Sequence, residues 1–324
     1  MALVRSDPTA LAALAAKALE LASSDPGRGR QAAEAVLAAA PRDAVVRATA
    51  MHAFGLALAQ QGEVVEAIAA LRRCIAFARR THQQRREGLA RTSLVYALAL
   101  RGRIAAALQE AAEAEAKVTG IDRARLLAQR GLLLQRLGRS TDALADFRRA
   151  LPVLRRGRDD AWVFRILNNR AILLTYLGRI PAALIDLDAA GELARSLGLA
   201  YAAATVEHNR GFARGRQGDV PAALASFDAA EAEFRRLGAP LGPPLVDRCE
   251  VLLGVHLVEE GRAAAAEAVA QLSAASLATD LAEAQLLYAE ALLLTGEHDQ
   301  ARDAAGAARR AFVRHGRHSW AALA

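Results

Sequence analysis

The residues of this chain that could do chemistry are few, and most are amides and guanidinium groups. Cys249 and His256 share one helical face. Seven residues of rise separate them by about 10 Å, whereas a thiolate–imidazole pair needs hydrogen-bond reach. Cys74 stands where a small core residue is expected, which suits an inert thiol. His315 and His318 are neighbours, but two histidines without a further ligand do not make a zinc site. No phosphate-binding glycine loop and no nucleophile–base constellation can be read. The sequence therefore predicts a chain that is not an enzyme, with no metal and no cofactor. Hydrogen-bonding chemistry remains. Asn168, Asn169, Asn209 and Gln129 offer donors and acceptors suited to a peptide backbone. Arg136, Arg165 and Arg216 can make charge-assisted bonds to carboxylates.

A recurrence positions these groups. Asn169 to Leu184 reads as a helix end, a turn at Gly178 and a new helix start, with counterparts about forty residues to either side. A period of this length marks a stacked array of helix pairs. Turn glycines are read at Gly62, Gly102, Gly138, Gly178, Gly218, Gly261 and Gly296, spaced by 40, 36, 40, 40, 43 and 35 residues. Glycine reaches the left-handed conformation that closes a helix more cheaply than other residues. Seven positions before each turn stands Gly55, Val95, Gly131, Ala171, Gly211, Gly254 or Ala289. Five after it stands Ala67, Ala107, Ala143, Ala183, Ala223, Ala266 or Ala301. Small residues at both places let antiparallel helices approach closely.

The small residue in the first helix (helix A), the turn glycine and the small residue in the second (helix B) resemble the tetratricopeptide repeat family. Leu58, Leu98, Leu134, Leu174, Leu257 and Leu292 meet its large apolar position, while Arg214 breaks it. Phe147 and Phe227 match its helix B aromatic. The family's proline near the end of helix B is missing, and the period exceeds the usual ~34 residues. The resemblance covers nearly the whole chain and implies an all-α, right-handed superhelical solenoid of about eight antiparallel pairs. Residues 1–41 read as an atypical first pair, 42–237 as central repeats, and 238–317 as the last two repeats. Residues 318–324 read as the start of a further, truncated helix. Helices are expected over 242–260 and 262–275 in the seventh pair, after a loosened joint at 238–244.

In the family, the residues 13, 10, 9, 6 and 2 before each turn line the concave face. Carried over, they include Gln129 and Arg136 in repeat four, and Arg165, Asn168, Asn169 and Tyr176 in repeat five. Repeat six adds His208, Asn209, Phe212 and Arg216, and repeat seven is read as apolar through Val251, Leu252 and Val255. The resemblance implies a protein–protein interaction scaffold that holds a peptide or protein segment, with the basic middle of the groove suiting an acidic partner. The segment from Ala308 to Leu323 also resembles repeat arms that precede caspase-like CHAT peptidase domains, and similar arms join transcription regulators. Arg130, Arg170 and Arg210 form a second ladder, with Asp146, Asp186, Asp188 and Asp228 in the following B helices. An internal ion-pair role is the leading reading there.

Composition narrows the classes. The chain has 324 residues, 53% hydrophobic but 4% aromatic, which suits many thin alanine–leucine contacts. No run approaches the ~18 apolar residues of a membrane span, and the N-terminus lacks a signal-peptide pattern. Two cysteines give no disulfide framework, so a cytoplasmic location is expected. A net charge of +7 favours acidic partners, which keeps nucleic acid as an alternative. Scattered aromatics such as Tyr96, Tyr176 and Phe212 are a poor platform for single strands. Trp320 on the unfinished last helix makes self-association a third expectation.

Overall fold

The computed structural model describes residues 8–39, 41–274, 278–314 and 318–324, without the side chains of residues 136, 274, 278, 279, 318 and 319. Among these, seventeen α-helices follow one another in antiparallel pairs as a helical-repeat solenoid of about eight repeats. Repeats one to four are α1 (Pro8–Ser24) with α2 (Pro26–Ala38), α3 (Ala44–Gln60) with α4 (Val64–Arg80), α5 (Gln84–Leu100) with α6 (Ile104–Glu115), and α7 (Gly120–Arg136) with α8 (Ser140–Arg156). Repeats five to eight are α9 (Asp160–Tyr176) with α10 (Ile180–Ser196), α11 (Ala200–Gln217) with α12 (Val220–Arg236), α13 (Gly242–Gly254) with α14 (Val258–Ala274), and α15 (Ala278–Leu294) with α16 (His298–Arg314). A short α17 (His318–Leu323) follows. The chain divides into two compact units, 1–162 and 163–324, with the division falling in the sequence of α9.

The forty-residue period has a simple origin. From α7 to α10 each helix is 17 residues long and each turn fills three more. From repeat two onward, the turn between the A and B helices carries a left-handed residue, as at Gly178 (φ 71°). Arg179 N–H bonds Leu174 C=O at 2.8 Å and Gly178 N–H bonds Thr175 C=O at 2.9 Å, the paired closure of a Schellman motif. Turns between repeats use the same conformation, at His82, Arg158, Gly198 and Gly238. The joint expected to be loose at 238–244 is packed. Gly238 repeats the conformation of Gly198, Leu241 is buried, and its N–H bonds Gln271 Oε1 at 3.2 Å.

Repeat seven corrects the sequence reading. Helix α13 ends at Gly254, and the left-handed turn residue is His256 (φ 61°), not Gly261. Leu257 N–H bonds Leu252 C=O at 2.9 Å and His256 N–H bonds Leu253 C=O at 3.0 Å, the same closure as at Gly178. Histidine is one of the few side-chain-bearing residues that visits this region. Gly261 lies inside α14, five residues past the turn, where it is the small residue of helix B. The corrected spacings on either side of this turn are 38 and 40 residues, in place of 43 and 35.

Packing within a repeat follows a size rule between the position seven before the turn and the position nine after it. A Cβ built on Gly131 would lie 2.5 Å from the Phe147 ring, one on Gly211 2.8 Å from Phe227, and one on Gly55 2.8 Å from Leu71. Repeat five places Ala171 against the smaller Leu187, and repeat three reverses the sizes with Val95 and Ala111. All of these side chains are buried. At the C-terminal end, Trp320 stacks on Phe312 at 5.7 Å between centroids. Ala321 is buried beside it while Leu323 stays open.

Candidate functional site

The helix A positions ten and nine before the turn form polar rungs between neighbouring repeats. In the first unit, His52 Nε2 meets Ser93 Oγ at 2.7 Å. Burial, aided by Arg86, pushes the His52 imidazole down to about 4, so it is neutral. In the second unit, Asn209 Nδ2 donates to Asn168 Oδ1 at 2.8 Å, and His208 Nε2 pairs with Asp247 Oδ2 at 2.9 Å. Each rung joins position ten of one repeat to position nine of the next. Asn168 and His208 are buried, which is why their polar atoms need these partners. Asn169 behaves differently. Its Nδ2 donates to its own helix at Arg165 C=O, 2.8 Å away, and its carboxamide oxygen remains available to a ligand among the described residues.

Beside the rungs, Tyr176 and Phe212 approach to 5.5 Å between ring centroids in a tilted pair. Phe212 is buried and Tyr176 is 56% exposed. Arg216 reaches Glu250 at 3.5 Å. With His256 as the turn, Asp247 and Glu250 occupy positions nine and six of repeat seven, so the expected apolar lining by Val251 and Leu252 is overturned: both are buried in packing. Desolvation, then the carboxylates of Asp247, Glu250 and Glu283, raise the Tyr176 phenol, with Arg216 opposing.

The structure thus brings together Arg165, Asn168, Asn169, Tyr176, His208, Asn209, Phe212 and Arg216 on α9 and α11 of the second unit. Gln129 lies half-buried on α7 of the first unit, and the side chain of Arg136 is outside the described residues. Asp247 and Glu250 were missed in the sequence. The available signal was the repeat spacing, which is more regular through His256 than through Gly261.

The arginine ladder is internal. Arg130 holds Asp146 with Nε at 2.6 Å and Nη2 at 2.8 Å, and Arg170 holds Asp186 at 2.6 Å through both nitrogens. Repeat six has Ser226 at the matching place, and Arg214 bonds it at 3.1 Å. Arg210 accordingly turns to Asp188 of the preceding repeat at 2.8 Å and to Glu207. The corrected register adds Arg248, which reaches back to Asp228 and Glu231. Such bidentate pairs fix orientation more than they add stability.

The two thiols are buried, and burial pushes both Cys74 and Cys249 up to about 12. Among the described residues no group of three metal-ligating side chains occurs, and no helix is long and apolar enough to cross a membrane.

Comparison with known proteins agrees with this architecture. Residues 122–196 match the sequence profile of the tetratricopeptide repeat, and no curated protein matches the chain. Among solved structures, a Rap protein complexed with competence and sporulation factor superposes with a TM-score of 0.68 at 14% identity, covering 98% of this chain and 96% of that one. The apo quorum sensor NprR from B. thuringiensis gives 0.67 at 11% identity, covering 89% and 83%. Aspartyl phosphate phosphatase F from Bacillus subtilis gives 0.63 at 12% identity, covering 86% and 75%. The fold is tetratricopeptide-repeat-like.

Proposed function

We propose that this chain is a non-catalytic scaffold that holds an extended polypeptide segment on the helix A face of its second unit. One observation carries the reading: Asn169 and Tyr176 on one face of α9 and Arg216 on α11 present an amide, an exposed ring and a charge. The helices that bear them commit their opposite sides to packing. That combination suits a peptide, whose backbone needs amide partners and whose side chains need an apolar seat. Likeness to a Rap protein complexed with competence and sporulation factor and to the quorum sensor NprR supports the same role. In this reading the chain works in the cytoplasm as the sensor arm of a larger effector. The attached domain, a CHAT peptidase or a transcription regulator, responds to occupancy of the face.

Nucleic acid is the weaker alternative. The ladder arginines are already paired with carboxylates, and Asp247 and Glu250 repel phosphate from the face.

The test is capture from a bacterial lysate, with and without nuclease treatment, by the full chain and by an Asn169→Ala/Tyr176→Ala variant of unchanged helicity. Polypeptides retained by the first and lost from the second are the expected result. Equal retention by both places binding on another surface. Loss of the captured material on nuclease treatment favours nucleic acid instead.

A further inference from the structure

Arg86 on α5 is half-buried and has no hydrogen-bond or ion-pair partner among the described residues. Its neighbours on the helix are satisfied. Arg85 grips Oδ2 of Asp122 at 3.1 and 2.7 Å, and Arg91 holds Glu87 at 3.0 Å. Asp43, whose field reaches Arg86, spends its carboxylate capping α3 through the N–H groups of Val45 and Val46. Burial, then the charge of Arg85, lowers the Arg86 guanidinium against the opposing Asp43 and Cys74. A guanidinium drawn partly out of water with no anion is held at a cost. Arg86 lines a pocket of about 330 Å³ with Val45 of α3 and Gln83, Gln84, Arg85 and Leu89 at the start of α5. That volume lies at the lower end of small-molecule sites, about 300–1,000 Å³. Gln83 stands three residues before Arg86 and donates Nε2 to Thr81 Oγ1 at 2.8 Å, but its buried Oε1 has no partner. One wall thus presents a cation without an anion beside an acceptor without a donor, both costly to leave unmade. Val45 and Leu89 supply apolar sides.

We propose that this pocket of the first unit binds a small hydroxy acid. Its carboxylate meets Arg86, its neighbouring hydroxyl serves Gln83 Oε1, and its apolar body, of amino-acid size, lies against Val45 and Leu89. The site belongs to the first unit and the peptide face to the second, so neither depends on the other. The guanidinium fork takes both oxygens of a carboxylate. Gln83 Oε1 is covered, so the hydroxyl meets it after a rotation of the carboxamide about its soft terminal torsion. A free amino group in place of the hydroxyl is disfavoured, since its charge would face Arg85 and Arg86. The last residue of a polypeptide carries a similar end group, but the pocket seats one residue-sized body, which favours the free acid.

The experiment titrates the full chain calorimetrically with leucic acid, the hydroxy analogue of leucine. Its amide, inorganic phosphate and an acetylated tripeptide ending in leucine are titrated beside it. Leucic acid should bind saturably, and the amide at least about tenfold more weakly, the order of one charge-assisted bond. Arg86→Gln should weaken the acid by the same factor. Val45→Glu places an anion in the pocket from an exposed helix start, where an acid is favoured. It should block the acid with the melting temperature kept or raised, which serves if Arg86→Gln fails to fold. Equal binding of acid and amide, or unchanged binding by Arg86→Gln, overturns the site. Phosphate binding as tightly as the acid reports attraction to basic charge alone and overturns it too. Tighter binding of the tripeptide overturns the small acid in favour of a chain end. No saturable binding of leucic acid by the wild-type chain overturns the proposal and leaves the peptide face standing.

Discussion

Asn209 donates its side-chain amide to Oδ1 of Asn168 at 2.8 Å, tying α11 to α9. Two amides that resemble Asn169 in type and spacing are thus spent on each other. Asn209→Ala leaves the buried Asn168 oxygen unpartnered and should destabilise the chain by about 1–2 kcal/mol. Asn169→Ala, whose bond is to its own helix, should stay within about 0.5 kcal/mol while weakening peptide capture. Urea denaturation of both variants beside a binding assay checks this. Equal losses of stability would show that Asn169 is structural too.

His256 holds a left-handed conformation at an exposed turn. His256→Gly should raise stability by about 0.5–1 kcal/mol, because the relieved strain exceeds the added unfolded-state freedom. Gly178→Ala at the equivalent turn (φ 71°) should lower it by about 1 kcal/mol. Thermal melts of the two variants should move in opposite directions.

Gly131 and Phe147 share one volume, since a Cβ on the first meets the ring of the second at 2.5 Å. Gly131→Ala should cost about 1–3 kcal/mol by overpacking. Adding Phe147→Leu rebuilds the Ala171/Leu187 pair of repeat five and should recover most of that loss. A double-mutant cycle showing simple additivity would refute the coupling.

Burial acts to raise the Glu115 carboxyl, but hydrogen bonds from Arg123, Arg149 and Arg130 outweigh it and hold it at about 2. A folded-state value below the ordinary one means stability that is full above about pH 4.5 and lost as pH falls toward 2. Glu115→Gln should lower stability at neutral pH and flatten the acid limb between these values. Denaturation midpoints measured across pH 2–6 would show it, and an unchanged acid limb would remove Glu115 as its cause.

The helix pairs were legible because small residues and turn glycines are demanded by local geometry, one repeat at a time. Repeat seven was misread because no residue type signals a histidine in the left-handed region. Gly261, needed for close packing inside α14, imitated a turn. The rungs were illegible for a different reason. Asn168 and Asn209 stand 41 residues apart, and their pairing depends on how one repeat settles on the next. Free amides and paired amides look alike until that stacking is known. The acidic end of the face was hidden by the same register error, which had put Val251 and Leu252 where Asp247 and Glu250 stand.

The seventeen-plus-three construction also restricts how such a chain can change its length. One residue added within a helix rotates everything after it by about 100°, which would turn rung residues toward the core and core residues toward water. Helix α11 shows the allowance: it runs to 18 residues, and only Gly218 and Asp219 separate it from α12, so the sum of twenty is kept. Where the sum does change, as in α6 and α13, each of which totals sixteen residues with its following turn, the difference is close to one whole helical turn, so growth and loss of this array come in turns or modules, or as exchanges between a helix and its adjoining turn.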